Sequence, residues 1–123
     1  MKSMSKTLII LEDEHCVVST LCLIGKKYGY QPFCFSCVED LIENIGVLKL
    51  ADLFITDFDL CDTNIIPLLK EIRKHKTKVY TVLNSGNLNA IEEIEKEGLS
   101  DLIDKVLTKT ENFNTFFKNL VEN

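Results

Sequence analysis

Short apolar runs alternate with amphipathic stretches along this chain of 123 residues, and the alternation constrains the fold more than any other feature. Runs of about four to eight mostly apolar residues, bounded by polar or turn residues, are typical of strands. The first and third runs are almost wholly apolar, which indicates strands buried on both faces of a parallel sheet. The predicted strands are residues 7–11, 31–35, 51–57, 79–83 and 102–103.

A helix is predicted after each strand. In residues 15–28, apolar side chains recur at helical spacing, and Gly29 follows where a positive φ costs little. Ser36 is predicted to cap a second helix over residues 38–45, with Glu39 at capping-box spacing.

The remaining helices have similar signals. Asp62 or Thr63 is predicted to cap the third, because Pro67 is tolerated only in the first turn of a helix. Apolar residues at spacing three from Leu88 predict the fourth, which Gly98 ends. The last helix carries an apolar stripe that predicts packing on the sheet. The stripe is Phe113, Phe116, Phe117, Leu120 and Val121.

Strand–helix units repeated five times, (βα)5, predict an α/β fold: a doubly wound five-stranded parallel sheet with helices on both faces. Right-handed crossovers leave few topologies. Among these we adopt the flavodoxin-like order 2-1-3-4-5 from known doubly wound sheets, since the sequence itself does not fix it. Residues 1–123 are predicted to form one domain with a core over about 7–121 and no output domain.

Charge and hydropathy argue against two classes of partner. The net charge is -5, whereas domains that bind nucleic acid are usually basic. No apolar stretch approaches the roughly 20 residues of a membrane span. The apolar run after Lys6 is too short for a signal peptide. We therefore expect no nucleic-acid or membrane partner and a cytoplasmic location.

The cysteines are predicted to be reduced packing residues. Cys34 and Cys37 form a lone CxxC, for which redox chemistry or a metal site is the alternative. A zinc site would need two further ligands, and none lie beside this pair in the sequence. The cysteines are Cys16, Cys22, Cys34, Cys37 and Cys61.

Acidic residues follow two of the predicted strands. Glu12 and Asp13 follow the first, and Asp57 and Asp59 follow the apolar part of the third. In the adopted strand order these two carboxyl ends are neighbours at the switch point, where such sheets bind ligands. Clustered carboxylates repel one another unless a cation or proton intervenes, and Mg²⁺ prefers oxygen ligands. The pattern predicts a Mg²⁺ site.

Two further residues suit phosphoryl chemistry at this edge of the sheet. Ser85 is predicted to follow the fourth strand and Lys105 the fifth. A phosphoryl group on Asp57 could then meet the hydroxyl of Ser85 and the ammonium of Lys105. Asp57 is accordingly predicted to be a nucleophile that forms an aspartyl phosphate.

In these motifs the chain resembles the stand-alone receiver domains of response regulators in two-component phosphorelay signalling. The resemblance implies that Asp57 accepts a phosphoryl group from a sensor histidine kinase or a histidine phosphotransfer protein. It implies that Asp13 and Asp57 bind Mg²⁺ directly, Glu12 through water, and Asp59 through its backbone carbonyl. It also implies that Ser85 moves toward the phosphate as the switch hydroxyl, with Lys105 as the cation that meets the phosphoryl group, and that a downstream protein reads the change.

Three positions depart from the family pattern. Val106 and Cys61 stand where proline is common, and Leu102 stands where a switch aromatic is common. These departures leave open an alternative, an unphosphorylated receiver used as an interaction module.

A second alternative is a Mg²⁺-dependent phosphatase. The stretch from Asp57 to Thr63 resembles the DxDxx(D)T start of haloacid-dehalogenase-type phosphatases, in which Asp59 would be the acid/base.

Overall fold

The computed structural model describes residues 5–61, 63–108 and 112–122. Apolar strands separated by helices build one five-stranded parallel sheet, and two short, more polar strands pair as a hairpin. The strands are β1 (Lys6–Leu11), β2 (Tyr30–Phe35), β3 (Leu53–Thr56), β4 (Asp59–Leu60), β5 (Thr63–Asn64), β6 (Thr81–Asn84) and β7 (Lys105–Leu107). The α-helices are α1 (His15–Lys27), α2 (Val38–Glu43), α3 (Ile66–Lys74), α4 (Ala90–Lys96) and α5 (Phe113–Glu122). Two 3₁₀ helices cover Ile45–Leu50 and Ser100–Leu102.

The predicted fold class is confirmed. The parallel sheet has the order β2-β1-β3-β6-β7. This is the flavodoxin-like order 2-1-3-4-5 once the unpredicted hairpin β4–β5 is set aside, because β6 and β7 are the fourth and fifth strands of the sheet. β2, which contains Pro32, is an edge strand as predicted.

Side chains alternate along the strands, so each face of the sheet has its own apolar core. On one face, Ile9 and Phe54 pack with residues of α2, α3 and α4. On the other, Ile10 and Ile55 pack with α1 and α5, where Phe117 is fully buried. The two cores hold adjacent strands in fixed register, which fixes where each strand ends.

The helix ends match the sequence in part. Gly29 and Gly98 follow α1 and α4 with φ of 90° and 72°, as the turn signals predicted. The predicted cap at Ser36 is wrong, because α2 begins after Cys37 and has no side-chain cap. Leu88 lies ahead of α4 and is 95% exposed, so it is not part of the buried face.

Among the described residues, no helix has the length and apolar character needed to span a membrane.

Candidate functional site

Three carboxylates meet at the carboxyl ends of β1 and β3. Glu12, Asp13 and Asp57 each offer one oxygen, and these oxygens lie within 4.8 Å of one another. The two strands are parallel neighbours with Leu11 opposite Thr56. The backbone N–H of Asp57 donates to the Leu11 carbonyl at 3.1 Å. The strand order therefore brings together acids that are more than 40 residues apart in the sequence.

The three acids differ in burial and in their hydrogen bonds. Glu12 is only 3% exposed, and its carboxylate accepts a hydrogen bond of 3.1 Å from the backbone N–H of Glu14. Asp13 is exposed and Asp57 is partly buried. The carboxylate of Asp57 accepts a hydrogen bond of 2.7 Å from the N–H of Phe58, which fixes its orientation. Glu12 is thus the buried member of the cluster, and Asp13 is its solvent-exposed member.

This donor set fits a hard divalent cation. Carboxylate oxygens are ligands that Mg²⁺ prefers, and Mg²⁺ takes one or two of them together with water and phosphate oxygens. Three carboxylates so close also repel one another, and the repulsion is strongest for the buried Glu12, where solvent screens least. A bound cation would remove that cost.

Asp59 has other contacts than these three acids. It belongs to β4, which pairs with β5 so that Asp59 is opposite Asn64. Its carboxylate accepts a hydrogen bond of 3.0 Å from the side-chain amide of Asn87.

Thr63 does not cap α3, because it belongs to β5 and α3 begins after Ile65. The other predicted cap, Asp62, is outside the described residues.

Ser85 directly follows β6 on the same edge of the sheet. Its backbone N–H donates to the Leu107 carbonyl at 3.1 Å, and the residue is 9% exposed. Its hydroxyl oxygen accepts a hydrogen bond of 3.0 Å from the N–H of Asn87. The structure therefore places Ser85 one strand away from Asp57, as predicted, with its hydroxyl engaged by its own loop.

Lys105 is not where the sequence placed it. The predicted strand over 102–103 is wrong, because a 3₁₀ helix covers Ser100–Leu102 and Lys105 is the first residue of β7 rather than the residue after it. Lys105 pairs with Val82, and two more residues of β7 follow. At about 3.3 Å per residue, this sets it back from the acidic edge by roughly 7 Å. It lines a cleft beside Phe116 of α5.

Two asparagines lie near the site, and of these Asn84 was not singled out by its sequence pattern. Asn87 contacts both Asp59 and Ser85, as described above. Asn84 ends β6 and is 1% exposed, and neither side-chain polar atom has a hydrogen-bond partner among the described residues. A polar residue directly after the apolar run of β6 was the available signal, but it resembled an ordinary turn residue.

Comparison with known proteins finds likeness in structure alone. No family model and no curated protein sequence matches the chain. The response regulator TrrA from Thermotoga maritima, solved in complex with Mg²⁺–BeF, is 19% identical with a TM-score of 0.75; the match covers 95% of this chain and 97% of that one.

Two further solved structures agree. A CheY-like response regulator receiver domain from Methylobacillus flagellatus is 21% identical, with 96% of this chain and 98% of that one covered and a TM-score of 0.76. The non-phosphorylated HemR receiver domain from Leptospira biflexa is 19% identical, with 96% and 93% covered and a TM-score of 0.78. At such identities the likeness establishes the fold and leaves the activity to the site residues.

Proposed function

We propose that this chain, whose fold is that of response-regulator receiver domains, is a phosphoacceptor switch in which Asp57 takes the phosphoryl group. The observation that carries the proposal is the cluster of Glu12, Asp13 and Asp57, whose carboxylate oxygens lie within 4.8 Å of one another. The cluster lies at the switch point of the sheet, where doubly wound folds bind their ligands.

In the proposed reaction, a carboxylate oxygen of Asp57 attacks the phosphorus of a phosphohistidine. An O–P bond forms as the N–P bond breaks, and the leaving imidazole takes up a proton. The Phe58 N–H holds the attacking carboxylate in place. Mg²⁺, bound by Glu12, Asp13 and Asp57, would supply the positive charge that offsets the phosphoryl oxygens. The backbone carbonyl of Asp59 is a further proposed ligand.

Ser85 is proposed to transmit the change. Its hydroxyl oxygen accepts a hydrogen bond from the N–H of Asn87 in the structure, and its O–H could be donated to a phosphoryl group on Asp57. Residues 85–89 would then rearrange, along with the neighbouring surface of α4 and β7. That surface includes Ile91, Glu95 and Val106.

The proposed donor is a sensor histidine kinase or a histidine phosphotransfer protein, and the proposed reader is a further protein. In this account the chain is phosphorylated and dephosphorylated by its own site and is not a turnover enzyme. The cytoplasmic location predicted from the sequence remains a prediction.

One observation favours a second candidate, an unphosphorylated module with the same fold. Lys105, the predicted cation of the site, begins β7 and lines the cleft beside α5. If no other cation replaces it, the phosphoryl group loses a charged hydrogen bond.

Intact-mass measurement after incubation with Mg²⁺ and acetyl phosphate tests the proposal. A gain of one phosphoryl group is expected for the unaltered chain and for Asp40→Asn, an exposed control on α2. No gain is expected for Asp57→Asn or when EDTA replaces Mg²⁺. An unaltered chain that gains nothing from any small phosphodonor would support the silent module. Steady hydrolysis of a phosphomonoester, lost in Asp59→Asn, would instead indicate the phosphatase.

A further inference from the structure

Two cysteines that are not neighbours in the sequence meet between α1 and the edge strand β2. The Sγ atoms of Cys22 and Cys34 are 3.3 Å apart. Both cysteines are reduced in the structure, and Cys34 is exposed. The CxxC pattern had suggested Cys37 as the partner of Cys34, whereas the fold supplies Cys22.

The register of the sheet explains the meeting. Cys34 is opposite Ile10 in the parallel ladder of β2 and β1. Ile10 belongs to the core on the α1 and α5 face, against which Cys22 also packs. Residues opposite each other in a ladder project to the same face, so Cys34 projects toward α1.

We propose that Cys22 and Cys34 are a modification site, an oxidation-sensitive pair that forms an intramolecular disulfide. A disulfide has an S–S distance of about 2.05 Å, so the sulfur atoms need to approach by roughly 1.2 Å. β2 is paired on one side only, so its outer side does not resist a small shift of Cys34. The site is separate from the acidic cluster, and the inference does not depend on the proposed function.

With hydrogen peroxide as oxidant the reaction balances. One thiolate attacks a peroxide oxygen, which gives a sulfenic acid and expels hydroxide. The second sulfur attacks the sulfenic sulfur, forms the S–S bond and expels the oxygen as water. In sum, two thiols and one peroxide give one disulfide and two molecules of water.

The surroundings of the pair set its pH dependence. Although Cys34 as a residue is exposed, partial burial of its thiol and, secondarily, the neighbouring Cys22 raise the pKa of Cys34 to about 12, and the smaller effect of Lys26 lowers it. The Cys34 thiol is therefore protonated at neutral pH. Because the thiolate is the reactive form, disulfide formation is expected to be slow near pH 7 and to speed up as the pH rises.

The disulfide would also restrain the backbone of β2 where it is hydrogen-bonded to a residue of the acidic cluster. Phe35, the residue after Cys34, accepts a hydrogen bond of 3.0 Å at its carbonyl from the N–H of Glu12. Oxidation would thus join α1 covalently to the strand that holds the backbone of Glu12.

Peptide mapping of the full chain tests the inference. Reduced protein is treated with hydrogen peroxide at pH 7, 8 and 9, free thiols are alkylated, and the digest is analysed without reductant. We expect a cross-link between the peptides of Cys22 and Cys34, an intact mass lower by two hydrogen atoms, and reversal by dithiothreitol. The rate should rise as the pH rises over this range, because the thiolate is the reactive form.

Serine variants provide the controls. Cys22→Ser and Cys34→Ser should lose the cross-link, and Cys16→Ser, exposed on the same helix, should keep it. A dominant link between Cys34 and Cys37, a link only between two chains, or full alkylation of both thiols after peroxide would overturn the inference. The mapping of the unaltered chain decides the question even if a serine variant is unfolded.

Discussion

The side-chain amide of Asn87 donates a hydrogen bond of 3.0 Å to the carboxylate of Asp59, which joins the loop after β6 to the hairpin β4–β5. The backbone N–H of Asn87 donates to the hydroxyl of Ser85, and its side-chain oxygen accepts from the N–H of Asn89. Asn87 therefore connects Asp59, two residues after the proposed phosphoacceptor, with the proposed switch hydroxyl of Ser85.

Removing this link should loosen the loop without unfolding the domain. Asn87→Ala is expected to lower the free energy of unfolding by about 1 kcal/mol, the usual net value of a hydrogen bond. It should also speed amide exchange at Asn89, whose N–H loses its acceptor. Asn112→Ala is the matched control, because Asn112 makes a similar local turn at α5 by accepting from the N–H of Asn114. Equal amide exchange at Asn89 in both variants would show that the side chain of Asn87 does not stabilise this loop.

The position of Lys105 gives a second prediction. Since Lys105 begins β7 and lines the cleft beside α5, Lys105→Met should change phosphate uptake by Asp57 less than about twofold. Lys109 lies outside the described residues, but it follows β7 in the sequence, as the cation of the site was expected to follow its strand. Lys109→Met is therefore the comparison.

If Lys109 supplies the cation, Lys109→Met should slow uptake roughly tenfold or more, the loss expected for a charged hydrogen bond. Uptake is followed by intact mass at a fixed concentration of acetyl phosphate. A large loss in Lys105→Met with normal uptake in Lys109→Met would contradict the placement of Lys105.

Asn84 offers a test of stability. Both polar atoms of its side chain are buried without a partner in the part of the chain that the structure describes, and such groups cost about 1–3 kcal/mol. Asn84→Leu, which keeps the branched shape, is expected to raise the free energy of unfolding by about 1 kcal/mol. Thr77→Val removes another buried hydroxyl without a partner, at a site away from the acids, and should act in the same direction.

Urea unfolding measures both changes. A loss of phosphate uptake in Asn84→Leu but not in Thr77→Val would assign the buried amide a role in the site. A fall in stability in Asn84→Leu would contradict the view that its amide goes unpaired.

Asp101 gives a prediction on pH. Its side-chain hydrogen bond with Arg73 holds the pKa of this carboxyl below the usual range. A lowered carboxyl pKa stabilises the fold above the pKa of the unfolded chain, about 3.9, and that stability is lost as the pH falls through the folded value. NMR titration should show the Asp101 carboxyl titrating at a lower pH in the unaltered chain than in Arg73→Met.

Local patterns in the sequence were enough to predict the fold class. Buried runs such as residues 7–11 have few alternatives to a central parallel strand, and Gly29 and Gly98 end their helices where the turn signals placed them. The meeting of Asp13 with Asp57 followed from the adopted strand order, because neighbouring parallel strands end at the same edge.

What the sequence could not supply was register and long-range contact. Residues 102–103 resembled a strand in composition, yet the chain forms a 3₁₀ turn there and begins β7 at Lys105. A shift of a few residues in where this short strand begins moves Lys105 from one part of the sheet to another. The contacts of Asn87 with Asp59 and of Cys22 with Cys34 depend on tertiary packing, for which local periodicity holds no signal.

Reductive trapping identifies the phosphorylated residue directly. The chain is incubated with Mg²⁺ and acetyl phosphate and treated with borohydride, which converts an acyl phosphate of aspartate to homoserine, and the peptide covering residues 51–61 is sequenced by mass spectrometry. We expect homoserine at Asp57 alone, and only when Mg²⁺ was present. Homoserine at Asp59 or another acid, or none in any peptide, would contradict this expectation.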